Sequence, residues 1–405
     1  MLDLLSFMLN HFKIRFFIIN INKGRNMKKL VIISALAATS TVASAFDYKF
    51  NLEGRADFVN ADTETTTSTG VKTTDKYNNF SNGLVRLNLM GTINENLSYR
   101  FRYRFLNAAA APTSAFRENV NSDSTTAAKN GIDYLFVDHK NEFFTTRFGK
   151  QNWSGNPYGR EGMVSGTDVF LVSQAATNYK AAFGSDYRFG VTAMFKFMDT
   201  NTLDIAISNP NNTFTDATAA TTSEAKNTGL AMGAYYTGSF LNKMVQPVLA
   251  YTTAKQNGNT DEAAANRTKD VNYTMMNVGL RSEVAGAIID ADYKALKRPN
   301  MNDGSNATAA NILQETKSIY VNAAYPVGDF TPMFTYINDK FDSEDNTKDS
   351  KKSSFAVGTY WKPMADVNFR YHAMFTSAST KADGGSSTVA KVEDKKIYFG
   401  FKADI

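Results

Sequence analysis

Several residue types are scarce or missing from this sequence. Its 405 residues include no cysteine, three histidines and two tryptophans. Without cysteine there is no disulfide framework and no thiolate metal site, which suits export through an oxidising compartment without requiring it. Beyond residue 45 only His139 and His372 remain, and the strand alternation described below places both on the inner side. Neither lies in a nucleophile motif, so a hydrolase is not indicated.

Long apolar runs and a charge excess are also missing from most of the chain. From residue 46 onward no run reaches the roughly 18 apolar residues that a membrane helix needs. The formal charge of +5 comes from the first 45 residues, which hold six basic and one acidic side chain of the 44 and 39 in total. The rest has 38 of each sign and offers no basic surface for nucleic acid, which is therefore not an expected partner.

One stretch alternates aromatic and arginine side chains. In Leu97–Phe105 the odd-numbered residues are apolar or aromatic, and the even-numbered ones are Ser98, Arg100, Arg102 and Arg104. Strand side chains point alternately to two faces, so this predicts a strand with one oily and one charged face. Lipid on one side and a water-filled lumen on the other satisfy both faces. The stretch therefore indicates a strand of a membrane barrel.

The same alternation recurs and predicts about sixteen strands, seven short turns and eight long loops. An even number lets the first and last strands pair, which leaves no open sheet edge. The last stretch, Lys396 to Ile405, alternates to its end, as closure requires. We therefore predict an all-β fold, a transmembrane antiparallel β-barrel over residues 46–405. The alternative, a soluble β-sandwich, would need nearly half of the outward-facing side chains to form its core.

Some boundaries are specific expectations. The pattern predicts a polar, Thr-rich loop from Ala61 to about Asn79 and a second loop from Asn107 to Asn130. Ala176–Phe183 is predicted to be a strand that turns into the strand beginning at Tyr187. Leu203–Ile207 is predicted to lie within a long loop, although it could extend a strand.

Residues 27–45 have the pattern of a secretory signal peptide. A charged start at Met27-Lys28-Lys29 precedes a short apolar stretch, and Ala43-Ser44-Ala45 supplies the small residues of a cleavage site before Phe46. The apolar stretch is too short for a membrane anchor, which is the alternative. Because residues 1–26 precede a complete signal, we interpret them as an upstream extension from a mis-assigned start.

With these strands in place, the chain resembles the Gram-negative general porins, a family of trimeric, sixteen-stranded outer-membrane barrels. The similarity covers residues 46–405 in architecture and is strongest in sequence at Thr146–Gln151. It implies an outer-membrane location, a homotrimer, and contacts with outer-membrane lipid and lipopolysaccharide. In that family the loop after the fifth strand folds inward as a constriction, and the matching segment here is Asn152–Gln174. One departure is the terminal Ile405, where the family usually has Phe.

The predicted constriction combines a basic wall and this loop. The wall residues are Arg55, Arg86, Arg100, Arg102, Arg104 and Arg147, and the loop residues are Tyr158, Arg160, Glu161 and Asp168. Like charges repel unless water screens them or acids face them, and Glu161 and Asp168 could supply those acids. These two match the acidic loop motif of the family only loosely. The alternative is that the arginines only keep the lumen wet or pair with lipopolysaccharide.

Basic side chains outnumber acidic ones on the inward face, which predicts a weak anion preference. The further inward bases are Lys180, Arg188, Arg281, Lys294, Arg370, Lys396 and Lys402, and the inward acids include Asp57, Asp133, Asp290, Asp292 and Asp339. Small inward residues, such as Ala250 and Ala356, favour an open lumen over a filled one.

These features predict a porin for passive diffusion of small hydrophilic solutes and ions, without catalysis or a cofactor. The alternatives are an anion-selective channel, with phosphate as a candidate solute, and a non-conducting barrel that serves as an adhesin or structural link. The acidic run Asp342–Asp345 could bind Ca²⁺ or Mg²⁺, although a solvated loop explains it as well. No other metal site is indicated.

Overall fold

The computed structural model describes residues 47–107, 131–152, 159–163, 170–183, 187–208, 230–256, 271–299, 313–343, 349–364, 366–383 and 389–404. The signal peptide, its cleavage site and the upstream extension predicted for residues 1–46 lie outside these ranges, as does residue 405. All but the first residue of the loop predicted from Asn107 to Asn130 also lies outside them. Within the described ranges, no helix is long and apolar enough to span a membrane.

Within the described residues, sixteen strands form one closed antiparallel barrel in which sequence neighbours are sheet neighbours and β1 pairs with β16. The strands are β1 (Asp47–Thr67), β2 (Lys72–Asn94), β3 (Leu97–Asn107), β4 (Gly131–Lys140), β5 (Thr145–Asn152), β6 (Tyr187–Phe197), β7 (Asn201–Ser208), β8 (Ala231–Thr237), β9 (Gln246–Gln256), β10 (Val271–Val284), β11 (Ala287–Pro299), β12 (Leu313–Ala324), β13 (Phe330–Ser343), β14 (Ser350–Trp361), β15 (Asn368–Ala382) and β16 (Val389–Asp404). Between β5 and β6 lie the helices α1 (Gly159–Met163) and α2 (Gln174–Phe183). The predicted sixteen-stranded antiparallel barrel is confirmed.

The predicted strand count is right because two errors in it cancel. Ala176–Phe183, predicted to be a strand, lies in α2. Leu203–Ile207, predicted to lie in a loop, belongs to β7, which pairs with β6 and β8. The buried residues Ala175, Ala176 and Tyr179 lie on one face of a helix, because residues four apart share a face. In β7 exposure alternates instead, since Ile205 is exposed outside and Ala206 is buried inside.

The predicted loop from Ala61 to Asn79 is wrong, because β1 continues to Thr67 and β2 begins at Lys72. The hairpin closes at Gly70, whose φ of 83° is left-handed and whose N–H donates to the carbonyl of Thr67 over 3.0 Å. Threonine is β-branched and suits a strand, so the Thr-rich composition fits the extended hairpin. β16 pairs with β1 up to Thr67, which supports this extension from the other side.

A β-bulge in β4 changes which of its residues face inward. Arg102 pairs with Tyr134 and Tyr103 with Ile132, so Asp133 is an extra residue without a partner in β3. Asp133 and Tyr134 consequently both contact the inner face. The Arg102 Nε lies 3.1 Å from the Asp133 carboxylate, and its guanidinium lies 3.9 Å from the centroid of the Tyr134 ring.

Beyond the bulge the alternation continues in the shifted phase. Phe136 is buried with the Arg147 guanidinium 3.9 Å from its ring centroid, and Asp138 pairs with the same arginine. His139, the next residue, therefore faces outward and is exposed, so its predicted inner placement is wrong. The inner placement of His372 is confirmed by its buried contact with the carboxylate of Asp57.

Replacing Ile205 with lysine is expected to destabilise the barrel by about 2–4 kcal/mol, because a lysine on the lipid face costs this much near the membrane midplane. The matched control is Phe197→Lys, an outward position beside the turn between β6 and β7, where the cost falls to ~0–1 kcal/mol. Urea titration of the protein folded in lipid vesicles measures both. Equal losses at the two positions would contradict the placement of β7 in the membrane.

Candidate functional site

The two helices between β5 and β6 contact strands far from β5 in the sheet. α1 contacts β9, β10 and β11, and α2 contacts β11, β12 and β13. The side chains that receive them, among them Asp292, Lys294, Ser318 and Asp339, are buried and lie at inward positions. The helices therefore lie against the inner wall of the barrel.

Asp292 of β11 binds the start of α1. Its carboxylate accepts hydrogen bonds from the backbone N–H of Arg160 over 3.0 Å and of Glu161 over 2.9 Å. These N–H groups have no partner within the helix, and a carboxylate also suits the positive end of the helix dipole. The Arg160 guanidinium donates to the backbone carbonyl of Gln246. Burial, followed by the nearby charge of Arg281, lowers the pKa of Arg160.

Glu161 connects the two helices to the wall. Its carboxylate lies 2.7 Å from the Nζ of Lys294, and it accepts hydrogen bonds from the N–H of Ser173 over 2.6 Å and from the hydroxyl of Ser173 over 2.7 Å. All three residues are buried. A buried carboxylate needs such partners, because its desolvation is costly. Glu161 thus pairs with Lys294, whereas the sequence suggested that it faces the arginine wall.

The start of α2 has two further polar anchors. The hydroxyl of Ser173 accepts a hydrogen bond from the N–H of Ala176 over 3.3 Å, as an N-cap does. Asp339 accepts hydrogen bonds from the N–H of Gln174 over 2.9 Å and from the hydroxyl of Ser318 over 2.5 Å. A wall carboxylate therefore meets the N-terminal end of each helix.

Phe170, just before α2, reaches the wall formed by β1, β15 and β16. Its ring centroid lies 5.1 Å from that of His372 and 5.4 Å from that of Tyr398, and the Arg55 guanidinium lies 4.5 Å from it. Among the predicted wall residues, Arg55 is thereby brought into contact with the segment between β5 and β6. Ala356 belongs to the same buried cluster, so this small inward residue makes room for the segment rather than for open lumen.

The other wall arginines surround one carboxylate. Asp133 Oδ2 lies 3.4 Å from Arg86, 3.1 Å from Arg102 and 3.0 Å from Arg104. All four side chains are buried. The sequence predicted Asp133 as an inward acid but not as the centre of this cluster, since the bulge that directs it there has no sequence signal.

Glu53 of β1 extends this cluster. Its carboxylate lies 3.6 Å from Arg86 and 3.6 Å from Lys402, so four cations share the carboxylates of Glu53 and Asp133. Arg100 adds a further cation, which donates to the side-chain oxygen of Asn88 over 3.2 Å.

Arg147 and Arg100 are held differently from that cluster. Arg147 forms a two-point pair with Asp138, with bonds of 2.7 and 2.8 Å, and covers the ring of Phe136. The Arg100 guanidinium lies 4.6 Å from the centroid of Tyr134. Aromatic rings beneath guanidinium groups stabilise them and fix their orientation. Tyr134 and Phe136 face inward because the bulge at Asp133 shifts the alternation of β4. The sequence pattern did not reveal this shift.

Of the predicted loop residues, Tyr158 and Asp168 lie outside the described residues, as does the position of Glu344 and Asp345 in the predicted acidic loop. Lys180 lies in α2 rather than in a strand. The sequence placed Asp292, Lys294 and Asp339 inward but did not show that they anchor the loop. These residues lie on β11 and β13, the two neighbours of β12, and this clustering of inward charges is the signal that could have suggested an anchoring site. Within the described ranges, no three His, Asp or Glu side chains are grouped to hold a metal ion.

The pair of Glu161 and Lys294 offers a test of loop anchoring. Lys294→Met is expected to destabilise the protein by about 3–5 kcal/mol, because it leaves Glu161 buried without its cation. Adding Glu161→Gln should recover part of this loss, since the Glu161 charge is then removed. The recovery should be incomplete, because Asp292, which lies 3.3 Å from the Lys294 Nζ, stays charged. Denaturant unfolding of the single and double variants measures the coupling.

The control for that cycle is an exposed ion pair, Lys76 and Asp62, whose atoms lie 3.2 Å apart. Lys76→Met should change the stability by no more than about 1 kcal/mol, because water already solvates both groups. A Lys294→Met loss as small as this one would contradict a buried anchoring pair.

The family described as Gram-negative porin matches residues 33–382 of the chain. No curated protein matches this chain. Solved structures are similar over most of the chain. OmpT of Vibrio cholerae, folded in vitro, has 13% identity and a TM-score of 0.59 and covers 89% of this chain and 98% of its own. A trimer form of OmpT has 11% identity and a TM-score of 0.56 and covers 89% of this chain and 100% of its own.

Two further structures share the architecture. The anion-selective porin from Comamonas acidovorans has 13% identity and a TM-score of 0.56 and covers 89% of this chain and 100% of its own. The outer membrane channel DcaP of Acinetobacter baumannii has 13% identity and a TM-score of 0.57 and covers 88% of this chain and 98% of its own. At these identities the likeness shows the fold.

Proposed function

The chain belongs to the Gram-negative porin family, and from this premise we propose that it lets small hydrophilic solutes and ions diffuse passively through its lumen. The family is one of outer-membrane diffusion channels rather than enzymes. The observation that carries the proposal is the closed barrel, whose inward positions are mostly polar or charged while its outward positions are mostly apolar. Such a lining admits water and polar solutes.

We infer that the segment between β5 and β6 narrows this lumen. Its helices are bonded to the inner wall of β9 to β13, and Phe170 contacts the wall of β1, β15 and β16. The arginines of β2, β3 and β5 lie on a part of the wall that these contacts do not cover. The passage that remains for solutes then runs beside Arg100 and Arg147, which are partly exposed, whereas Arg86, Arg102 and Arg104 are buried.

The charges beside this passage favour anions over cations. Four cations share two carboxylates at the cluster of Asp133 and Glu53, and Arg100 lies beside them. On the part of the wall that binds α1 and α2, the three carboxylates of Glu161, Asp292 and Asp339 have fewer cations beside them than the cluster of Asp133 and Glu53 has. A positive wall opposite a less positive one gives a transverse field and a weak anion preference. An anion-selective channel is the second candidate function, and the same cluster supports it.

The assembly and export of the chain are further proposals. We propose a homotrimer, which the trimer form solved for a similar barrel supports. We also propose export by the signal peptide at residues 27–45 with Met27 as the start, so that the mature chain begins at Phe46. N-terminal sequencing of the exported protein and its mass in detergent test these two points.

Planar-bilayer recordings separate the candidate functions. A large ohmic conductance indicates a general pore, a small one that saturates with anions indicates an anion-selective channel, and none indicates a structural barrel. Because the chain has no cysteine, Arg100→Cys gives a single site for charged thiol reagents. Its anion-over-cation permeability ratio should fall about two-fold, since one charge about 8 Å away in water is worth roughly 0.5 kcal/mol.

A negatively charged thiol reagent on that cysteine should lower the ratio further, and a positively charged one should restore it. The control, Ile205→Cys, faces outward and should respond to neither reagent. A wild-type reversal potential that favours cations in a salt gradient would overturn the anion preference. If neither reagent changes the permeability ratio of Arg100→Cys, then Arg100 does not line the passage.

Detaching α1 and α2 from the inner wall tests whether the segment between β5 and β6 narrows the lumen. Asp292→Ala with Asp339→Ala removes the carboxylates that hold the starts of α1 and α2, so the single-channel conductance and its noise should increase. Asp290→Ala is the control, because it removes an inward carboxylate of the same strand that pairs with Arg281 rather than with the helices. Equal conductance of wild type and the double variant would contradict the narrowing.

A further inference from the structure

An inward carboxylate on β7 was not among the acids that the sequence pattern placed in the lumen. Asp204 lies in the stretch Leu203–Ile207, which the pattern assigned to a loop. It shares its face of β7 with the buried residues Ala206 and Ser208, and the alternating residue Ile205 is exposed outside. Asp204 therefore points into the lumen.

Asp204 differs from the other inward carboxylates in its lack of a partner. Those that are buried or partly buried are each held by a cation or a hydrogen-bond donor: Glu53, Asp57, Asp133, Asp138, Glu161, Asp290, Asp292, Asp339, Asp394, Asp404 and Glu283. Within the described part of the chain, Asp204 is partly buried and has neither an ion pair nor a hydrogen bond. Because desolvation makes a partnerless carboxylate costly, a cationic group that arrives through the lumen would stabilise it.

Asp204 lies where the covering by α2 ends. Ala206, one inward step closer to the long loops, belongs to a buried cluster with Tyr179 of α2. Asp204 itself is partly exposed, and so is Tyr235, which lies directly opposite on β8. This pair is therefore open to the lumen on the short-turn side of the segment between β5 and β6.

The side chains next to Asp204 suit an organic cation. Tyr235 lies on one side and Met194 of β6 on the other, each directly opposite in the sheet. An aromatic ring attracts an ammonium group, and a phenol and a thioether are poor ligands for hard ions such as Ca²⁺, which need six or more oxygens. The hydroxyls of Thr202 and Thr237, one inward step toward the short turns, bond to each other over 2.6 Å.

Two cations act on this pair from neighbouring elements. Arg147 of β5 acts on Asp204, and Arg160 of α1 acts on Tyr235. Arg147 is held by Asp138, and the Arg160 guanidinium donates to the carbonyl of Gln246. A solute that is only positive would be repelled by both arginines, whereas one that also carries a carboxylate would be attracted by them.

Arg100 offers a place for such a carboxylate on the same passage. It is partly exposed, and among the described residues it has no carboxylate partner. Its guanidinium donates to the side-chain oxygen of Asn88 and lies over the ring of Tyr134, which fixes its orientation. The passage therefore presents both a cation and a carboxylate that lack partners of opposite charge.

We propose that Asp204 and Tyr235 bind the ammonium group of small zwitterionic solutes, whose carboxylate faces the arginines of β3 and β5. Two strand spacings, roughly 10 Å, separate β5 from β7. A hydrogen bond of ~3 Å at each end leaves room for a solute with a few atoms between its charged groups. This inference rests on the proposed channel function and names a class of solute for it.

The test measures binding to the full chain folded in neutral detergent by titration calorimetry. The probes are 4-aminobutyrate, which carries both charges, and butyrate and butylammonium, which carry one each. The variants are Asp204→Asn and Tyr235→Phe. The control is Asp394→Asn, which removes an inward carboxylate at the long-loop end that pairs with Lys396. A heat-modifiable gel shift confirms that each variant folds.

Wild type should bind 4-aminobutyrate more tightly than either single-charge probe. Asp204→Asn should weaken this binding about tenfold, because a charge-assisted hydrogen bond is lost, and Tyr235→Phe should weaken it about threefold. Butyrate should bind Asp204→Asn at least as tightly as wild type, since a repelling carboxylate is gone. Asp394→Asn should bind all three probes like wild type.

Other outcomes overturn the proposal. Equal affinity of wild type and Asp204→Asn for 4-aminobutyrate would do so, and so would butylammonium binding to wild type as tightly as 4-aminobutyrate, which indicates a site for simple cations. If Asp204→Asn does not fold, Tyr235→Phe takes its place, and an unchanged affinity for 4-aminobutyrate is then the contrary result.

Planar-bilayer conductance separates this inference from the channel function on which it rests. A conducting wild type that does not prefer 4-aminobutyrate in the titration would refute the inference and leave the channel function intact. A wild type that binds 4-aminobutyrate through Asp204 but does not conduct would refute the channel function and leave the binding site.

Discussion

The backbone has no water to bond to within a lipid bilayer, and this single constraint shapes the rest of the molecule. Every N–H and C=O of a membrane strand must pair with a neighbouring strand, so the sheet has to close. It does so where β1 pairs with β16 from Glu53 opposite Asp404 to Thr67 opposite Val389. Once closed, the sheet has only an inside and an outside, and period two sends apolar side chains to one and charged side chains to the other.

The charged side chains inside the barrel then need partners of opposite charge or hydrogen-bond partners. Arginines gather around Asp133, and the helices of the segment between β5 and β6 use two other inward carboxylates as caps. Asp292 and Asp339 hold two helix starts, and Phe170 provides a third, apolar contact with the wall. Three contacts at separate points fix the orientation of the segment, as a single contact could not. A polar lining is thus both the surface of the passage and the anchor of the segment within it.

The sequence predicted the barrel because alternation is a local property. Leu97–Phe105 alone shows an oily and a charged face, and each such stretch adds a strand. The sequence did not predict the helix at Ala176 or the strand at Leu203, since short Ala-rich or mixed stretches fit either period. The bulge at Asp133 left no local trace, because one extra residue changes the register only relative to β3. The partners of Glu161 were equally hidden, since Lys294 lies far along the chain and only tertiary structure brings them together.

The long sequence separation between α1 and its acceptor has a consequence for assembly. Arg160 and its acceptor Asp292 are 132 positions apart, and the acceptor comes later in the chain. The start of α1 thus has no carboxylate to bind until β11 is part of the sheet, and long-range contacts of this kind slow folding. A half-built barrel accordingly has a wide, hydrated interior with its carboxylates in water. Docking of α1 thus has to follow the pairing of β11 into the sheet, because its acceptor Asp292 lies on that strand.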